Sequence, residues 1–488
     1  MKKNDKIQLT ITDMGVNGEG IGKKDGYTFF VKNAVIGDTV SAVITKMKKG
    51  YGYAKTLQVL TPSADRVDPP CPEASRCGGC QIMELSYKAQ LKYKEQKVKN
   101  NLERIGGLDM TSIEFLPIIG MDKDVPLHYR NKMQYPFGRT ADGHVVTGFY
   151  AGRTHYLIET KNCPVALQGD EKIRQAVCTF AEQNALSVYD EEKGTGLLRH
   201  LLIRRGSATG QVMVCLVING DELGTLDLER SFVAALKAAD PAIHSICLNI
   251  NKEKTNVILG KTLRCLSGEL YIEEKITCGK EPLRFQISPL SFFQVNTAQT
   301  ERLYGTALSF AALKSDETVW DLYCGTGTIS LFLSKSAKKV IGVEVIPAAI
   351  EDANENAWLN GIDNAQFLCG KAEELFPEAV LQENLQADVV VLDPPRKGCD
   401  ARLLDTIRKV GPEKIVYVSC DSATLARDLK ILTGGADGDN TDSLRLQNYT
   451  VKKVQPVDMF PHTVHVESVV LMIKQKTDQS EFARGGRK

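Results

Sequence analysis

The sequence has no uninterrupted apolar run that approaches membrane-spanning length, and its start, from Met1 to Lys6, leads into no apolar core of a signal peptide. These absences predict a cytoplasmic protein without membrane association. The formal net charge is only +1 over 488 residues, with 43% hydrophobic and 25% charged residues, which is the composition of a globular protein. A chain of this length is too long for one core, so two or three domains are expected.

The small net charge hides an uneven distribution near the N-terminus. Residues 1–60 hold ten Lys and no Arg against five Asp plus Glu. Short strand-like segments at 6–12, 27–31 and 39–44 alternate with glycine-containing turns, which predicts a small β-barrel. A Lys-rich barrel suits nucleic-acid phosphates, but it also suits an ordinary solvated surface, and charge alone does not separate the two.

The remaining chain divides into a linker, two larger blocks and a tail. Residues 61–70 are rich in proline and polar residues and are typical of a linker. Residues 71–290 mix helix and strand, and a helix is predicted from Ser86, as a possible N-cap, to about Arg104. Residues 291–476 alternate strands and helices, which favours a parallel sheet, and the polar residues 477–488 are predicted to be disordered. The predicted fold class is therefore multidomain α/β.

A glycine turn in the last block predicts a cofactor site. The apolar run from Thr318 ends at Gly325 and Gly327, where glycines let the backbone approach a ligand at a helix N-terminus. The next strand-like run ends at Glu344, a position that suits a carboxylate bound to ribose hydroxyls. Ser330 stands where a dinucleotide fingerprint has its third glycine, so a nucleoside without a pyrophosphate is favoured. The pattern resembles that of class I methyltransferases, whose cofactor is S-adenosylmethionine.

Two further strand-like runs end in residues with reactive side chains. Asp393 and Cys420 each close a Val/Ile/Leu-rich run, and parallel strands deliver such residues to one edge of a sheet. Pro394 and Pro395 fix the chain direction just after the acid. An isolated cysteine is more often a small buried hydrophobe, and an isolated acid more often caps a helix. Their shared position and the cofactor pattern favour chemistry instead.

A thiol beside a methyl-donor cofactor suits covalent catalysis on uracil. C5 of uracil is too weakly nucleophilic to take a methyl group directly, whereas addition of a thiolate to C6 makes C5 enolate-like. A base must then remove the C5 proton so that the thiol can leave. Glu467, at the mouth of the run 469–473, is the candidate base, and His465 lies two residues before it.

Four of the thirteen cysteines form a second pattern. Cys71, Cys77 and Cys80 lie close together, and Cys163 is followed by a proline far downstream. Thiolates at such spacing bind zinc or an iron–sulfur cluster, and the spacing alone does not choose between them. Apart from Cys420, the other cysteines are predicted to be core residues: Cys178, Cys215, Cys247, Cys265, Cys278, Cys324, Cys369 and Cys399.

Five stretches of the last block together resemble the RNA (uracil-C5)-methyltransferase family, namely 288–296, 321–327, 393–398, 419–428 and 465–468. The resemblance implies that Gln294, Tyr323 and Glu344 contact S-adenosylmethionine. It also implies that Asp393 lies between cofactor and target base, that Cys420 is the nucleophile and that Glu467 accepts the proton. Asp421 stands where the family pattern has Asn. A carboxylate there disfavours the thiolate unless it points away.

The resemblance extends to the N-terminal blocks. It implies that residues 1–60 are an OB-like TRAM domain that holds RNA. Residues 71–290 are implied to be an α+β domain with a [4Fe–4S] cluster on Cys71, Cys77, Cys80 and Cys163. Residues 291–476 are implied to be a Rossmann-like methyltransferase domain.

The expected substrate is RNA, with the target uridine flipped out of its stack. Barrel and cluster resemble the ribosomal RNA branch of the family, so large-subunit (23S) rRNA is expected first and tRNA second. A monomer is expected, and DNA is not expected as a partner. Two other classes stay open, a methyltransferase for a small molecule or protein and an iron–sulfur RNA-binding protein with an inactive transferase block.

Overall fold

The computed structural model of the protein describes residues 1–152, 154–279, 281–435 and 448–475. The predicted disordered tail at 477–488 lies outside these residues. Within the described ranges, no helix combines the length and the apolar character needed to span a membrane.

The N-terminal strands close into a five-stranded barrel, as their alternating pattern predicted. The strands close in the order β1-β2-β3-β5-β4. Their bounds are β1 (Lys6–Met14), β2 (Gly20–Lys24), β3 (Tyr27–Lys32), β4 (Thr39–Met47) and β5 (Tyr51–Thr61). Alternate side chains such as Leu9, Phe29, Val40 and Ile44 fill the interior, so the intervening residues face outward.

A long helix follows the linker and the first three clustered cysteines. Helix α1 (Tyr87–Arg104) is capped by Ser86, whose hydroxyl accepts a hydrogen bond from the amide of Ala89, which confirms the predicted helix and its cap. The Tyr93 hydroxyl on α1 donates to the carbonyl of Gly15, 2.9 Å away, and thereby joins the helix to the β1–β2 turn of the barrel.

The linker is anchored to both of its neighbours. Arg66 forms ion pairs with Asp38 of the barrel at 2.7 Å and with Glu84 at 3.0 Å. Its guanidinium lowers the pKa of the Asp38 carboxyl, against the opposing effect of burial. The barrel is therefore held against the segment that leads into α1.

The middle of the chain builds a seven-stranded mixed sheet in the order β13-β12-β11-β10-β7-β8-β9. Helices α2 (Asp170–Gln183) and α3 (Leu226–Ala239) pack against it and against each other, with Phe180 and Phe232 in ring contact at 5.1 Å. The strands are β7 (Lys132–Arg139), β8 (Val145–Tyr150), β9 (Leu157–Glu159), β10 (Leu198–Arg205), β11 (Val212–Ile218), β12 (Ile243–Ile250) and β13 (Thr262–Gly268).

The C-terminal part builds an eight-stranded sheet in the order β18-β17-β16-β19-β20-β22-β21-β6. Five neighbouring strands are parallel: β16 (Thr318–Leu322), β17 (Lys339–Glu344), β18 (Ala365–Cys369), β19 (Val389–Leu392) and β20 (Lys414–Ser419). β22 (Glu467–Lys474) and β21 (Tyr449–Val457) extend this sheet by antiparallel pairing. β6 (Glu114–Phe115) pairs with β21 and forms the edge strand. The strand order reverses between β16 and β19, so a ligand crevice is expected at their carboxyl ends.

Helices cover both faces of this sheet, which explains its nearly continuous apolar strands. One face packs on α4 (Thr297–Ala311), α5 (Thr328–Ser334), α6 (Pro347–Leu359) and the hairpin of β14 (Ile272–Thr277) and β15 (Pro282–Ile287). The other packs on α1, α7 (Ala372–Pro377), the π-helical turn Glu378–Gln382, α8 (Ala401–Val410) and α9 (Ser422–Leu432). Successive residues of β16 point to opposite faces of the sheet. Val319 packs in the core on the α4 side, and Trp320 packs in the core on the α1 side.

Helix α1 shows where tertiary packing overrides the sequence pattern. Lysines of a helix normally lie on its solvent-exposed face, and Lys88, Lys92 and Lys99 are exposed. Lys94, however, is completely buried against the C-terminal part of the chain, and Lys97 is half-buried. The helix thus belongs as much to the eight-stranded sheet as to the cysteine segment that precedes it.

Candidate active site

The carboxyl ends of two adjacent parallel strands bring Asp393 and Cys420 to one edge of the sheet. Asp393 follows β19 and Cys420 follows β20, and these strands pair in parallel register. Glu467 begins β22, which pairs antiparallel with β20 so that Ser419 lies opposite Ser468. One step further along this register, Cys420 lies next to Glu467. Three predicted site residues therefore meet at the crevice.

The Cys420 thiol lies in an environment that opposes its ionisation. Partial burial raises its pKa to about 12, and the negative charges of Glu467 and Asp393 add to that effect. Arg396 acts in the opposite direction and lowers the pKa. At neutral pH the free protein therefore holds Cys420 as the thiol, and its use as a nucleophile requires a change in charge around it.

The two carboxyls beside the thiol are also shifted. Glu467 is almost completely buried, and burial together with the charge of Asp393 raises its pKa to about 8. Burial and the charge of Asp321 raise the pKa of Asp393 to about 7. Like charges in a low-dielectric site resist simultaneous ionisation, so the cluster holds a proton near neutral pH and can exchange it. This is the behaviour expected of groups that transfer protons.

Asp421 does not point its carboxylate at the thiol. Its Oδ1 accepts hydrogen bonds from the amides of Ala423, at 2.9 Å, and Thr424, at 3.2 Å, which makes it the N-cap of α9. Asp and Asn are equally good N-cap residues, so the departure from the family pattern keeps the same local structure. Its charge is the smallest of the named causes that raise the pKa of Cys420.

Two cations lie at the rim of this site. Arg396 is exposed and lowers the pKa of both Cys420 and Glu467. Lys97, from α1, donates from Nζ to the carbonyl of Val464 at 2.9 Å, three residues before Glu467. Burial, followed by the charges of Arg396 and Lys97, lowers the pKa of His465 to about 4. His465 is therefore neutral at physiological pH.

The glycine turn after β16 has the geometry of a ligand cradle. Gly325 and Gly327 both have left-handed φ values, +55° and +76°. A Cβ on Gly327 would lie 2.9 Å from the Phe367 ring, so packing also requires glycine there. A Cβ on Gly325 would meet no protein atom within 4 Å, so that position faces open space.

Glu344 is fixed beside this turn by backbone amides. Its carboxylate accepts hydrogen bonds from the amide of Gly325 at 3.3 Å and from the amide of Ile346 at 3.0 Å. The turn and the acid, separated in sequence, thus form one constellation at the carboxyl edge of β16 and β17. A nucleoside that docks on the turn would find the carboxylate beside it.

Tyr323 and Gln294 are the other two residues implied as cofactor contacts. Tyr323 has a φ of +72°, a strained conformation for a tyrosine, of the kind found at functional sites. Gln294 is buried, and its backbone carbonyl accepts from the Asn131 amide at 3.1 Å. In the described residues its side-chain amide has no hydrogen-bond partner, so it is free to bind a ligand.

The four clustered cysteines lie close to one another. Cys71, Cys80 and Cys163 share one packing cluster with Tyr129. Cys77 is close enough for the charge of Cys71 to raise its pKa, although burial is the larger cause. Among the described residues, no group of three or more His, Cys, Asp or Glu is arranged to hold a metal ion.

The cysteine segment is joined directly to the chain that precedes Glu467. The amides of Gln81 and Ile82 both donate to the carbonyl of His462 at 3.1 Å, and Gln90 on α1 bonds the imidazole of His462. The prediction for the remaining cysteines was wrong in two cases, because Cys265 and Cys369 are exposed. Cys265 lies on the outermost strand of its sheet and Cys369 at the end of the edge strand β18, where one side has no neighbour.

Comparison with known proteins places the chain in a family. Residues 249–475 match the tRNA (Uracil-5-)-methyltransferase family, and residues 2–57 match the TRAM domain. An RNA methyltransferase of Clostridium tetani is 46% identical over 97% of each chain. Another, of Halalkalibacterium halodurans, is 44% identical over 97% of this chain and 98% of its own. This chain belongs to the RNA (uracil-5)-methyltransferase family.

One solved structure agrees with this assignment over nearly the whole chain. The tRNA (uracil-54, C5)-methyltransferase of Pyrococcus abyssi, in complex with S-adenosyl-L-homocysteine, superimposes with a TM-score of 0.71 and 26% identity. The match covers 96% of this chain and 100% of the other. It therefore includes the TRAM barrel as well as the methyltransferase sheet.

Sequence reasoning missed part of the site. Arg396 follows the Asp393 motif in the sequence, and only the fold places it close enough to Cys420 and Glu467 to affect both pKa values. Asp321 was seen only as part of the glycine motif. It is fully buried, bonded by the Ser330 hydroxyl at 2.5 Å, and raises the pKa of Asp393. No feature of the sequence indicated that Lys97 contacts the site, because this contact joins residues that are far apart in the sequence.

Proposed function

We propose that this protein transfers a methyl group from S-adenosylmethionine to C5 of a uridine in large-subunit (23S) ribosomal RNA. The observation that carries the proposal is the strand register that places Cys420 against Glu467 and beside Asp393. A thiol next to a buried base is the pair that uracil C5 chemistry requires. The cradle of Gly325, Gly327 and Glu344 opens at the same edge of the sheet and suits the cofactor that supplies the methyl group.

Cys420 carries the first step. Its sulfur, once deprotonated, adds to C6 of the uracil ring, and the C5–C6 electron pair moves toward the C4 carbonyl to form an enolate. The pKa of about 12 means that this deprotonation needs help. Arg396, which lowers that pKa, is placed to provide it, and the thiol proton leaves to solvent. C5 would then take the methyl group as the bond between the methyl carbon and the sulfonium sulfur of S-adenosylmethionine breaks and the sulfur leaves as a neutral thioether.

Glu467 carries the last step. The methylated C5 still holds its original proton, and Glu467 removes it when ionised. The C5–H electron pair restores the C5–C6 double bond and expels the Cys420 sulfur. A pKa of about 8 makes Glu467 a stronger base than an ordinary carboxylate, which suits removal of a carbon-bound proton. Asp393, between the cradle and the thiol, is placed to orient the uracil ring.

A tRNA is the second candidate substrate. The Pyrococcus abyssi enzyme that matches 96% of this chain acts, by its description, on uracil 54 of tRNA. Since the match includes the barrel, the barrel does not argue against tRNA as the substrate. The chemistry at Cys420 and Glu467 is the same for both substrates.

The experiment is transfer of labelled methyl from S-adenosylmethionine to 23S rRNA and tRNA transcripts, with wild-type protein and Cys420→Ala in parallel. Label in rRNA alone, and only with Cys420 present, supports the proposal. Label in tRNA alone would identify tRNA as the substrate and leave the proposed mechanism unchanged. Label with the Cys420→Ala protein overturns the covalent mechanism.

We also propose a [4Fe–4S] cluster on Cys71, Cys77, Cys80 and Cys163. Four thiols that converge from two distant segments are a suitable donor set for such a cluster. A cubane cluster takes one thiolate on each iron and spaces its ligands more widely than a single ion does. Iron and sulfide analysis of anaerobically purified protein should give about four of each. One zinc and no sulfide would overturn the assignment, and Cys163→Ser should lose the iron.

A further inference from the structure

A buried group of polar side chains connects the glycine turn with the helix that follows Cys420. The Tyr417 hydroxyl, on β20, donates to Oδ2 of Asp428, on α9, at 2.6 Å, and it lies 3.4 Å from the thiol of Cys399, in the loop after β19. The hydroxyl of Tyr323, directly after β16, is within hydrogen-bonding reach of the same thiol. Since β16, β19 and β20 are neighbours in the sheet, the group crosses the carboxyl edge of three strands. These four side chains are called the hydrogen-bond relay below.

The hydrogen bonds of the relay have one direction. Because the single phenolic proton of Tyr417 goes to Asp428, the Cys399 thiol is the donor in its contact with the Tyr417 oxygen. Burial raises the pKa of Cys399 to about 12, so the thiol keeps this proton near neutral pH. The sulfur is then the acceptor for the Tyr323 hydroxyl. The chain of donors that starts at Tyr323 therefore ends on the Asp428 carboxylate.

Asp428 is a fixed end point for the relay. Its side chain is completely buried and pairs through Oδ1 with Arg427 at 2.6 Å. Its Oδ2 also accepts from the backbone amide of Cys399 at 2.8 Å. Arg427 in turn donates to the carbonyl of Lys397 at 2.9 Å. The loop after β19 is thus held against α9 by side chain and backbone, which keeps the Cys399 thiol next to Tyr417.

Tyr323 has a backbone conformation that requires such an anchor. Its φ of +72° is strained for a residue with a side chain, and such strain persists only where the surrounding contacts hold it. In this conformation the amides of Tyr323 and Cys324 both donate to the carbonyl of Val343, at 2.9 and 3.0 Å. Val343 directly precedes Glu344, so the conformation of Tyr323 fixes the start of the glycine turn beside that carboxylate.

We propose that Cys399, Tyr417 and Asp428 are positioning residues that hold Tyr323 in its strained conformation and thereby keep the glycine turn in the shape that binds S-adenosylmethionine. The inference rests on the proposed function for the identity of the cofactor. The three residues act through Tyr323 and need not touch the cofactor themselves. Loss of one link lets Tyr323 relax, which weakens cofactor binding while the groups that carry the chemistry stay in the protein.

The test is calorimetric titration of the full-length protein with S-adenosyl-L-homocysteine, a probe whose binding needs neither RNA nor the Cys420 thiol. Tyr417→Phe keeps the ring and removes the hydroxyl, and it should weaken binding about fivefold, as expected for one lost hydrogen bond. Cys399→Ala should weaken binding to a similar degree. Cys399→Ser, whose hydroxyl both donates and accepts, should bind within about twofold of wild type.

A double-variant cycle separates action through Tyr323 from independent effects. Tyr323→Phe removes the first donor of the relay and should weaken binding by about the same factor as Tyr417→Phe. Because both variants interrupt one chain, Tyr323→Phe/Tyr417→Phe should bind no more weakly than the weaker of the two single variants. Two losses that multiply in the double variant would overturn the proposal.

The matched control is Tyr449→Phe. Tyr449 is completely buried in the same core, and its hydroxyl donates to the carbonyl of Pro412 at 2.9 Å, just before the start of β20. The variant loses one buried hydrogen bond, so it should lower stability in urea and leave the affinity for S-adenosyl-L-homocysteine unchanged. An equal loss of affinity in Tyr449→Phe would reveal a general effect of destabilisation and overturn the proposal.

The wild-type titration separates this inference from the proposed function. Wild-type protein that does not bind S-adenosyl-L-homocysteine would overturn the proposed function and this inference with it. Wild-type binding that Tyr417→Phe and Cys399→Ala leave within about twofold would overturn the relay alone, since one lost hydrogen bond should exceed that change.

Discussion

The ammonium of Lys94 lies 2.5 Å from the carboxylate of Asp458, and both side chains are completely buried. Nζ also donates to the carbonyl of Phe460 at 2.9 Å. The pair joins α1 to the segment that ends at Glu467. A buried charge that loses its partner is strongly destabilising, so this pair holds the segment that leads to Glu467 in place.

Lys94→Met should lower the free energy of unfolding by about 3–5 kcal/mol, because it leaves the Asp458 carboxyl buried without its partner. Urea unfolding measures the change. Lys88→Met, at an exposed position on the same helix, should change stability by less than about 0.5 kcal/mol. The double variant Lys94→Met/Asp458→Leu should recover much of the loss, and a loss in the single variant below about 1 kcal/mol would contradict the account.

Glu467→Gln should trap the enzyme on its substrate. The amide cannot remove the C5 proton, so Cys420 can add and the methyl group can transfer, but the sulfur cannot leave. A denaturing gel should show a protein–RNA adduct that carries labelled methyl. The adduct should disappear in Glu467→Gln/Cys420→Ala. Normal turnover by Glu467→Gln would assign the proton to another base.

Arg396→Gln should move the pH dependence of the reaction to higher pH. Arg396 lowers the pKa of both Cys420 and Glu467, so without it both pKa values rise. The thiolate and the ionised carboxylate are the active forms, so the rising limb of the single-turnover rate at saturating RNA must move upward. Lys397→Gln, the exposed neighbour, is the control and should keep the wild-type profile. An unshifted limb in Arg396→Gln would show that the guanidinium does not act on these groups.

The N-cap hydrogen bonds of Asp421 should contribute to the stability of the protein, whereas its charge should have little effect on the reaction rate. Asp421→Ala removes the acceptor for two amides of α9 and should cost about 1 kcal/mol of stability. Asp421→Asn keeps the cap and removes a charge that raises the pKa of Cys420, so its rate at neutral pH should equal or exceed wild type. Thermal unfolding and single-turnover kinetics measure the two effects. A severe loss of rate in Asp421→Asn would show a direct role for the carboxylate.

The local elements were predictable because their signals are local. Ser86 before a lysine-rich helix, the alternating strands of the barrel and the turn at Gly325 and Gly327 each depend on neighbours within a few residues. The order of Asp393 and Cys420 at successive strand ends also predicted that they share an edge, because parallel strands share a direction. The sequence by itself determined these features.

The electrostatics of the site were decided by the tertiary structure. Glu467 is distant from Cys420 in the sequence. The two residues lie side by side only because β22 pairs antiparallel with β20. Lys94 and Lys97 look like surface lysines in a helix, and only packing of α1 on the C-terminal segment buries one and brings the other to the rim. The contact between the Phe30 and Tyr53 rings is likewise a product of β3–β5 pairing in the barrel. Burial and charge pairing depend on which distant segments meet, and periodicity along one segment carries no information about that choice.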